Sequence, residues 1–408
     1  MINYKLSFIE SPSEIEINLN SSKSESNRLL IIKSLSDNKI ELENLSQAND
    51  TVLLKNLIRS NSQNIWDAED AGTTMRFLTS FLAVTKQGVL LTGTERMKKR
   101  PIKILVDALN KIGAEISYTE KDGYPPIKIN RKISQVKESI SIRGDISSQY
   151  ISSLLMIAPV LPNGLKIDVM PPFNSKPYVM MTLNLMKKFG IKYDLSEDSI
   201  SINNQEYKSG SYKVESDWSA ASYWYSFISI NKKLKEIKLK GLREHSFQGD
   251  QVIKKIMTLF NVETLYHKDG IILRKKDFDC DYLELDFKDC PDLAQTVLVV
   301  AAFHKVKLKL YGVESLKIKE TDRLKAMSNE LKKIGVNFYD DNGVWTLDKR
   351  NNKFSNEASI ETYKDHRMAM AFAPLASEIN ITINNPDVVN KSYPSFWEDM
   401  KKAGYDII

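Results

Sequence analysis

The sequence predicts an α/β protein of two lobes, built from one αβαβ-type unit used about six times. Three observations carry this. Largely apolar helical segments recur, each opening on polar, reactive residues, with starts at 24, 72, 147, 217, 291 and 366 and hence gaps of 48, 75, 70, 74 and 75 residues. Between them an amphipathic helix recurs that ends at a glycine and leads into a strand, a polar turn and a second strand. Finally, 408 residues exceed what one hydrophobic core usually serves, so two domains are expected.

Taken in order, the apolar segments begin as follows. Ser24-Glu25-Ser26-Asn27-Arg28 precedes Leu29-Leu30-Ile31-Ile32, and Asp70-Ala71-Gly72-Thr73-Thr74-Met75-Arg76 precedes Phe77-Leu78. Ser147-Ser148-Gln149 precedes Tyr150-Ile151, and Asp217-Trp218-Ser219 precedes Tyr223-Trp224-Tyr225. Pro291-Asp292 opens Leu293 to Phe303, and Asp365-His366-Arg367 opens Met368 to Ala376. Helices apolar on all sides belong in the interior. If they point the same way, their polar N-termini gather at one end of each domain, where free N–H groups favour anions. Ser24, Thr73, Ser147, Asp217 and Asp292 also suit plain helix capping; Arg28, Gln149 and His366-Arg367 do not.

The interleaved units read Leu105, Leu109, Ile112 to Gly113 and the strand Ala114 to Tyr118; Leu183, Leu185, Met186 to Gly190 and Ile191-Lys192-Tyr193; and Ile253, Ile256, Leu259 to Val262, with Asn261 in the glycine position. Leu331 and Ile334 lead to Gly335 and Phe338, and the chain closes on Ala403-Gly404-Tyr405. Polar turns at 121–123, 196–198, 268–270 and 340–343 then introduce another strand. The segment Tyr4 to Asn18 is expected as a first strand completing the second lobe, so the chain crosses between lobes near Asn20 and Ser216.

Lys317-Ile318-Lys319-Glu320-Thr321-Asp322-Arg323 lies between a strand-periodic stretch (Val306, Leu308, Leu310) and a helical one (Leu324, Met327, Leu331). It packs acid, base and a phosphate-grade cation at one helix start, though a solvated start with surface ion pairs has the same composition. Lys23, Arg28, Arg100, Arg367 and Lys391 are cations without carboxylate neighbours in sequence, and arginine captures phosphate or carboxylate in a bidentate manner. Lys98-Lys99-Arg100 alone also fits a solvated face.

A net charge of +6 is spread along the chain, and no aromatic-interleaved basic stripe points to nucleic acid. Cys280 and Cys290 have no metal-ligand spacing and the four histidines lie far apart, so no metal and no disulfide are expected. No apolar run approaches a bilayer span, and no signal region follows Met1; a cytoplasmic protein is expected, without membrane partners. Phosphate-binding and dinucleotide glycine motifs and the nucleophile elbow are absent, so no cofactor is expected. Chemistry then rests on lysine and carboxylate acid–base groups with electrostatic clamping.

Ser22-Lys23-Ser24-Glu25-Ser26-Asn27-Arg28, Asp70-Ala71-Gly72-Thr73, Leu91-Thr92-Gly93 with Arg96-Met97 and Arg100-Pro101-Ile102, and Ser147-Ser148-Gln149 resemble the EPSP synthase family. So do Ser175-Lys176-Pro177-Tyr178, Pro291-Asp292, Lys319-Glu320-Thr321-Asp322-Arg323, Asp365-His366-Arg367-Met368-Ala369 and Lys391-Ser392-Tyr393-Pro394, in order from about residue 19 to the C-terminus. The resemblance implies a two-lobed enolpyruvyl transferase fold of six βαβαββ repeats, three per lobe, around buried parallel helices. With the chain crossing twice, near 20 and 216, and the expected ligand residues divided between the two blocks, lobes of residues 1–19 plus 217–408 and 20–216 are expected, hinged at those crossings and closing over the substrates. The implied reaction moves the enolpyruvyl group of phosphoenolpyruvate to the 5-hydroxyl of shikimate 3-phosphate and releases phosphate.

The resemblance further implies that Lys23, Ser24, Arg28, Ser147, Ser148, Gln149, Ser175, Tyr178, Asp292, Ser315 and Lys319 bind shikimate 3-phosphate. Lys23, Gly72, Arg100, Gln149, Arg323, Arg367 and Lys391 would bind phosphoenolpyruvate, and Lys23, Asp292 and Glu320 would carry the chemistry. The implied species is a monomer with small-molecule partners only. Leu19-Asn20-Ser21 stands where the family has Leu-Pro-Gly, Asp70 where an Asn is common, and Ser315 where many members have an Asn. The alternatives are UDP-N-acetylglucosamine enolpyruvyl transferase, whose loop cysteine is missing from Met97 to Ile102, and a non-catalytic anion-binding protein of the same fold.

Overall fold

A computed structural model describes residues 2–10, 12, 14–60, 64–348 and 355–408. Contacts divide the chain into two compact units, Met1–Ser21 with Glu215–Ile408, and Ser22–Val214. The helices of Ser22–Val214 are α1 (Lys23–Leu35), α2 (Asn49–Arg59), α3 (Gly72–Thr85), α4 (Lys103–Ile112), α5 (Ser148–Ile157) and α6 (Lys176–Lys188). Those of the other unit are α7 (Trp218–Ile230), α8 (Ile253–Thr258), α9 (Ala294–Phe303), α10 (Arg323–Lys333), α11 (His366–Phe372) and α12 (Phe396–Lys402).

One sheet design recurs. Two parallel strands stand side by side with a buried helix preceding the second, and a hairpin adds antiparallel to that second strand. Ile65–Asp67 and Val89–Thr92 flank α3, completed by Ile127–Arg131 and Glu115–Tyr118. Ser139–Arg143 and Leu165–Met170 flank α5, completed by Ser199–Ile202 and Asp194–Leu195. Tyr282–Asp286 and Lys307–Tyr311 flank α9, completed by Val344–Leu347 and Phe338–Asp341. Glu357–Glu361 and Asn380–Asn384 flank α11, and here the strands Asn3–Phe8 and Tyr405–Ile407 from the two chain ends complete the sheet.

The last two repeats are tied to the chain crossings. Glu16–Asn18 leads into α1 but pairs in parallel with Glu236–Lys240, the strand after α7. Gly210–Lys213 leads into α7 but pairs in parallel with Ile40–Glu43, the strand after α1. The two strands are thus exchanged. The pair Gly210–Lys213 and Ile40–Glu43 carries no hairpin, so one of the six repeats is abbreviated, which explains the 48-residue gap.

A parallel pair needs a crossover, and a helix inside it starts at the carboxyl end of the first strand. The helices α5, α7 and α9 are buried along almost their whole length. Within one unit α7 packs on α9 and α9 on α11; within the other α3 packs on α5, and α5 and α1 on α6. Hydroxyls that fall inside find partners on a neighbouring helix, as Ser80 does with Ser153 at 2.9 Å, or on the preceding turn, as Thr79 does with Met75 O at 2.7 Å, because a buried polar group without a partner is costly.

Several local expectations change. Tyr4 to Asn18 is not one strand but two, in different sheets; Pro12 lacks the N–H a continuous ladder requires. Ile191-Lys192-Tyr193 is not strand, because the Gln205 side chain takes both the N–H (2.8 Å) and the carbonyl (2.9 Å) of Lys192. The sixth apolar helix ends at Phe372 and continues as a 3-10 turn, Ala373–Ser377, where Pro374 removes a donor. Asn261 does replace the helix-ending glycine: it takes the left-handed conformation at φ 53°, which Asn tolerates better than most residues.

Candidate active site

In Glu215–Ile408 the starts of three buried helices meet. The Arg367 guanidinium, at the start of α11, donates to the Asp292 carboxylate (3.0 Å) and carbonyl (2.9 Å) ahead of α9, and to Ser219 Oγ (3.2 Å) in the first turn of α7. Tyr223 Oη, one turn further along α7, lies 3.3 Å from the same guanidinium. Arg323, the first residue of α10 and only 2% exposed, is the second cation of the cluster. It donates to Asp365 (2.8 Å), Glu320 (2.8 Å) and Asp292 (3.0 Å). Lys319 Nζ stands 3.8 Å from Asp292 Oδ1.

The capping expectation for Asp292 fails: its residues sit in a 3-10 turn, Pro291–Leu293, and its side chain caps nothing. Burial works against the charge of Asp292, but Arg367, Lys319 and Arg323 outweigh it and hold the carboxyl well below the usual carboxylate range. Burial likewise disfavours charge on Arg323, and Asp365, Glu320 and Asp292 more than compensate. Asp322 and Asp365 are true caps, accepting from Lys325 N and Arg367 N. Lys391 ends the 3-10 turn Pro386–Lys391, which packs on α11, and Ser315 lies in the turn Glu314–Ile318, packed on Pro291–Leu293.

In Ser22–Val214 a second set of helix starts is assembled. Lys23 Nζ pairs with Asp50 Oδ2 at 3.1 Å, and both side chains are largely buried. Ser22, not Ser24, caps α1 through Glu25 N. Gln149 Nε2 donates to Thr73 Oγ1 at 3.0 Å, joining the starts of α5 and α3, while Ser147 caps α5. Ser148 is the first residue of α5. Ser175, ahead of α6, is left-handed at φ 58° without capping the helix, a strained conformation of the kind found at ligand sites.

Arg28 is buried and bonded to Thr182 Oγ1 (2.6 Å), Ser24 O (2.9 Å), Tyr178 O (3.3 Å) and Ser152 Oγ (3.4 Å). It ties together α1, α5 and α6, and burial lowers its pKa to about 10. Arg100 packs against Gly72 so closely that a Cβ there would lie 2.5 Å from its guanidinium nitrogen. Asp70, where the family often has Asn, accepts from Thr94 Oγ1.

Sequence reasoning missed Asp50, Asp365's grip on Arg323, and the anchoring of the Arg100 loop. In the last, Arg76 and Tyr150 both donate to Pro101 O, at 3.4 and 2.6 Å. A charged residue inside an apolar helix was the available signal for Arg76; nothing marked Asp50. Among the described residues no group of His, Cys, Asp and Glu could hold a metal, and no helix is long and apolar enough to cross a membrane.

Parallel βαβ pairs with added hairpins, and cations with carboxylates at the gathered helix starts, define the enolpyruvyl transferase class of fold. The EPSP synthase from Acinetobacter baumannii superposes with a TM-score of 0.77 at 20% identity, covering 100% of this chain and 99% of that one. The enolpyruvyl transferase NikO from Streptomyces tendae superposes with 0.73 at 11% identity, covering 100% and 98%. The family is given by sequence. Residues 54–400 match the model of EPSP synthase (3-phosphoshikimate 1-carboxyvinyltransferase), and the chain belongs to that family. The 3-phosphoshikimate 1-carboxyvinyltransferase of Bacteroides fragilis (strain YCH46) is 45% identical over 405 residues, 98% of each chain. That of Buchnera aphidicola subsp. Baizongia pistaciae is 36% identical, over 94% of this chain and 95% of its own.

Proposed function

We infer that this chain is a 3-phosphoshikimate 1-carboxyvinyltransferase. It transfers the enolpyruvyl group of phosphoenolpyruvate to the 5-hydroxyl of shikimate 3-phosphate and releases phosphate. The observation that carries this is 45% identity over 98% of the chain to a relative of that name, with the segments Ser22 to Arg28 and Lys319 to Arg323 of the family resemblance both present. A phosphate-release assay tests it: release must require both substrates together. A chain that instead used UDP-N-acetylglucosamine, or bound anions without turnover, fails that assay.

The roles of individual residues are part of the proposal. Arg323 and Arg367, with Arg100 and Lys391, take the anionic groups of phosphoenolpyruvate; Gly72 leaves room for Arg100, and Gln149 and Lys23 complete the donor set. Ser147, Ser148 and Ser175 hold the phosphate of shikimate 3-phosphate, with Ser24, Gln149, Tyr178 and Lys23 beside it. Asp292, Ser315 and Lys319 address its hydroxyls. Arg28 acts from beneath, since its bonds run to Ser24, Ser152, Tyr178 and Thr182. Replacing Arg100, Arg323 or Arg367 by Ala is expected to raise the donor KM; unchanged values in all three would overturn the donor assignment.

Addition needs a proton on the methylene carbon and a base for the attacking hydroxyl; elimination reverses the first and expels phosphate. Glu320 is assigned the carbon proton, Asp292 the hydroxyl proton and Lys23 the leaving phosphate. Held by three cations, Asp292 is a poor base in the free protein. A donor that occupies Arg323 and Arg367 draws those cations away, so donor binding raises the basicity of Asp292 when it is needed. The residues assigned to both substrates come from one chain, and the working species is proposed to be a cytoplasmic monomer, checked by sedimentation at assay concentrations.

A further inference from the structure

We propose that Glu330 and Tyr363 form a latch that positions Asp365 and Arg367 for the donor, an inference that rests on the donor role given to Arg323 and Arg367 above. Arg323 and Glu330 lie seven residues apart on α10, two turns, and so share its inner face. The Glu330 carboxylate is fully buried, a costly placement unless every oxygen is used. Tyr363 Oη donates to its Oε1 at 2.8 Å. Its Oε2 accepts from Glu361 N at 3.0 Å and from Lys333 Nζ at 2.6 Å. Of these partners Tyr363 lies in the segment joining the strand Glu357–Glu361 to α11, and Glu361 is the residue from which that segment leaves the strand.

That segment is strained. Tyr363 and Lys364 are consecutive left-handed residues, at φ 52° and 56°, a conformation that side chains with a Cβ rarely adopt. Such strain persists only where surrounding contacts hold it. The next residue is Asp365, whose carboxylate grips Arg323 and caps Arg367, while its own N–H donates to Thr362 O at 2.7 Å. Helix α10 therefore holds this segment near both its ends, through Arg323–Asp365 and through Glu330–Tyr363, where Asn329 Nδ2 adds a longer bond to Tyr363 Oη at 3.4 Å. With the second contact cut, the left-handed pair relaxes and Asp365 turns away. Arg323 and Arg367 then lose their common reference. Among the described residues the side-chain hydrogen bonds of Glu330 and Tyr363 run to Asn329, Lys333 and Glu361 and to each other, not to residues assigned to the acceptor, so the effect should be selective.

Tyr363→Phe, Glu330→Gln and Glu330→Ala in the full chain test this by steady-state kinetics in both substrates, with thermal melting alongside. Tyr363→Phe, which keeps the ring, is expected to raise the phosphoenolpyruvate KM about ten-fold while the shikimate 3-phosphate KM stays within about two-fold. Glu330→Gln keeps an acceptor for Glu361 N–H and should be milder than Glu330→Ala. Unchanged donor KM in Tyr363→Phe, or both KM values and kcat worsening together with the melting temperature, would overturn the latch and leave a contact that serves only the fold. If Glu330→Ala does not fold, Tyr363→Phe still decides. Should the wild-type chain release no phosphate from the two substrates, the functional reading fails by itself. The latch is then judged by hydrogen exchange at residues 361–367, which must quicken in Tyr363→Phe and would contradict it if unchanged.

Discussion

Replacing Arg323 by Met removes one guanidinium and keeps most of its length. Its bonds to Asp365, Glu320 and Asp292, at 2.8, 2.8 and 3.0 Å, disappear together. Asp365 is fully buried, and breaking a buried pair from one side costs about 3–5 kcal/mol. Asp292 is 26% exposed and keeps Arg367 and Lys319, so the lower end applies, about 3 kcal/mol. For a unit of roughly two hundred residues that is a melting shift of about 6–12 °C. The shift should fall on one unit's transition, Met1–Ser21 with Glu215–Ile408, if the two melt separately.

The pH dependence gives the sign. In the wild type the Asp292 carboxyl is depressed, so the stability it contributes is complete above the unfolded carboxylate pKa of about 3.9 and is lost only as pH falls through the folded value. Between pH 7 and 5 the wild type therefore loses nothing from this group. In the variant, carboxylates crowded without their cation prefer protonation, and acid relieves the repulsion. The gap in melting temperature should narrow from pH 7 to pH 5, followed by calorimetry or near-ultraviolet circular dichroism. A shift under about 2 °C at pH 7, or a gap that widens in acid, would refute the account of Arg323 as the common counter-ion of three carboxylates.

Three further expectations follow from the same geometry. Glu320→Gln keeps shape and hydrogen bonding but removes the acid, so kcat should fall roughly 100-fold or more while calorimetric binding of shikimate 3-phosphate holds; near-normal turnover would move the proton to Asp292 or Lys23. Gly72→Ala sets a Cβ 2.5 Å from the Arg100 guanidinium, so Arg100 must move and the donor KM should rise about ten-fold, with the acceptor KM unaffected. Asp50→Asn leaves Lys23 with a neutral partner at 3.1 Å; kcat should drop about ten-fold with a small change in melting temperature, and unaltered kinetics would make the pair purely structural.

The sequence by itself determined the units and their polar starts. Apolar runs long enough for a buried helix, and glycine or Asn261 at helix ends, are local signals, because each depends on the periodicity or backbone freedom of a few neighbouring residues. The reactive residues were legible for the same reason: Lys319 to Arg323 and Asp365 to Arg367 are contiguous. Tertiary structure alone decided the rest. The exchange of Glu16–Asn18 and Gly210–Lys213 leaves no local trace, since either strand could precede either helix. Lys23 meets Asp50, Arg323 meets Asp365 and Glu330 meets Tyr363 across 27, 42 and 33 residues. Whether a charge is solvated or buried beside its counter-ion is set by which helices pack together, and that follows from burying apolar surface over the whole unit, not from the residues next to the charge.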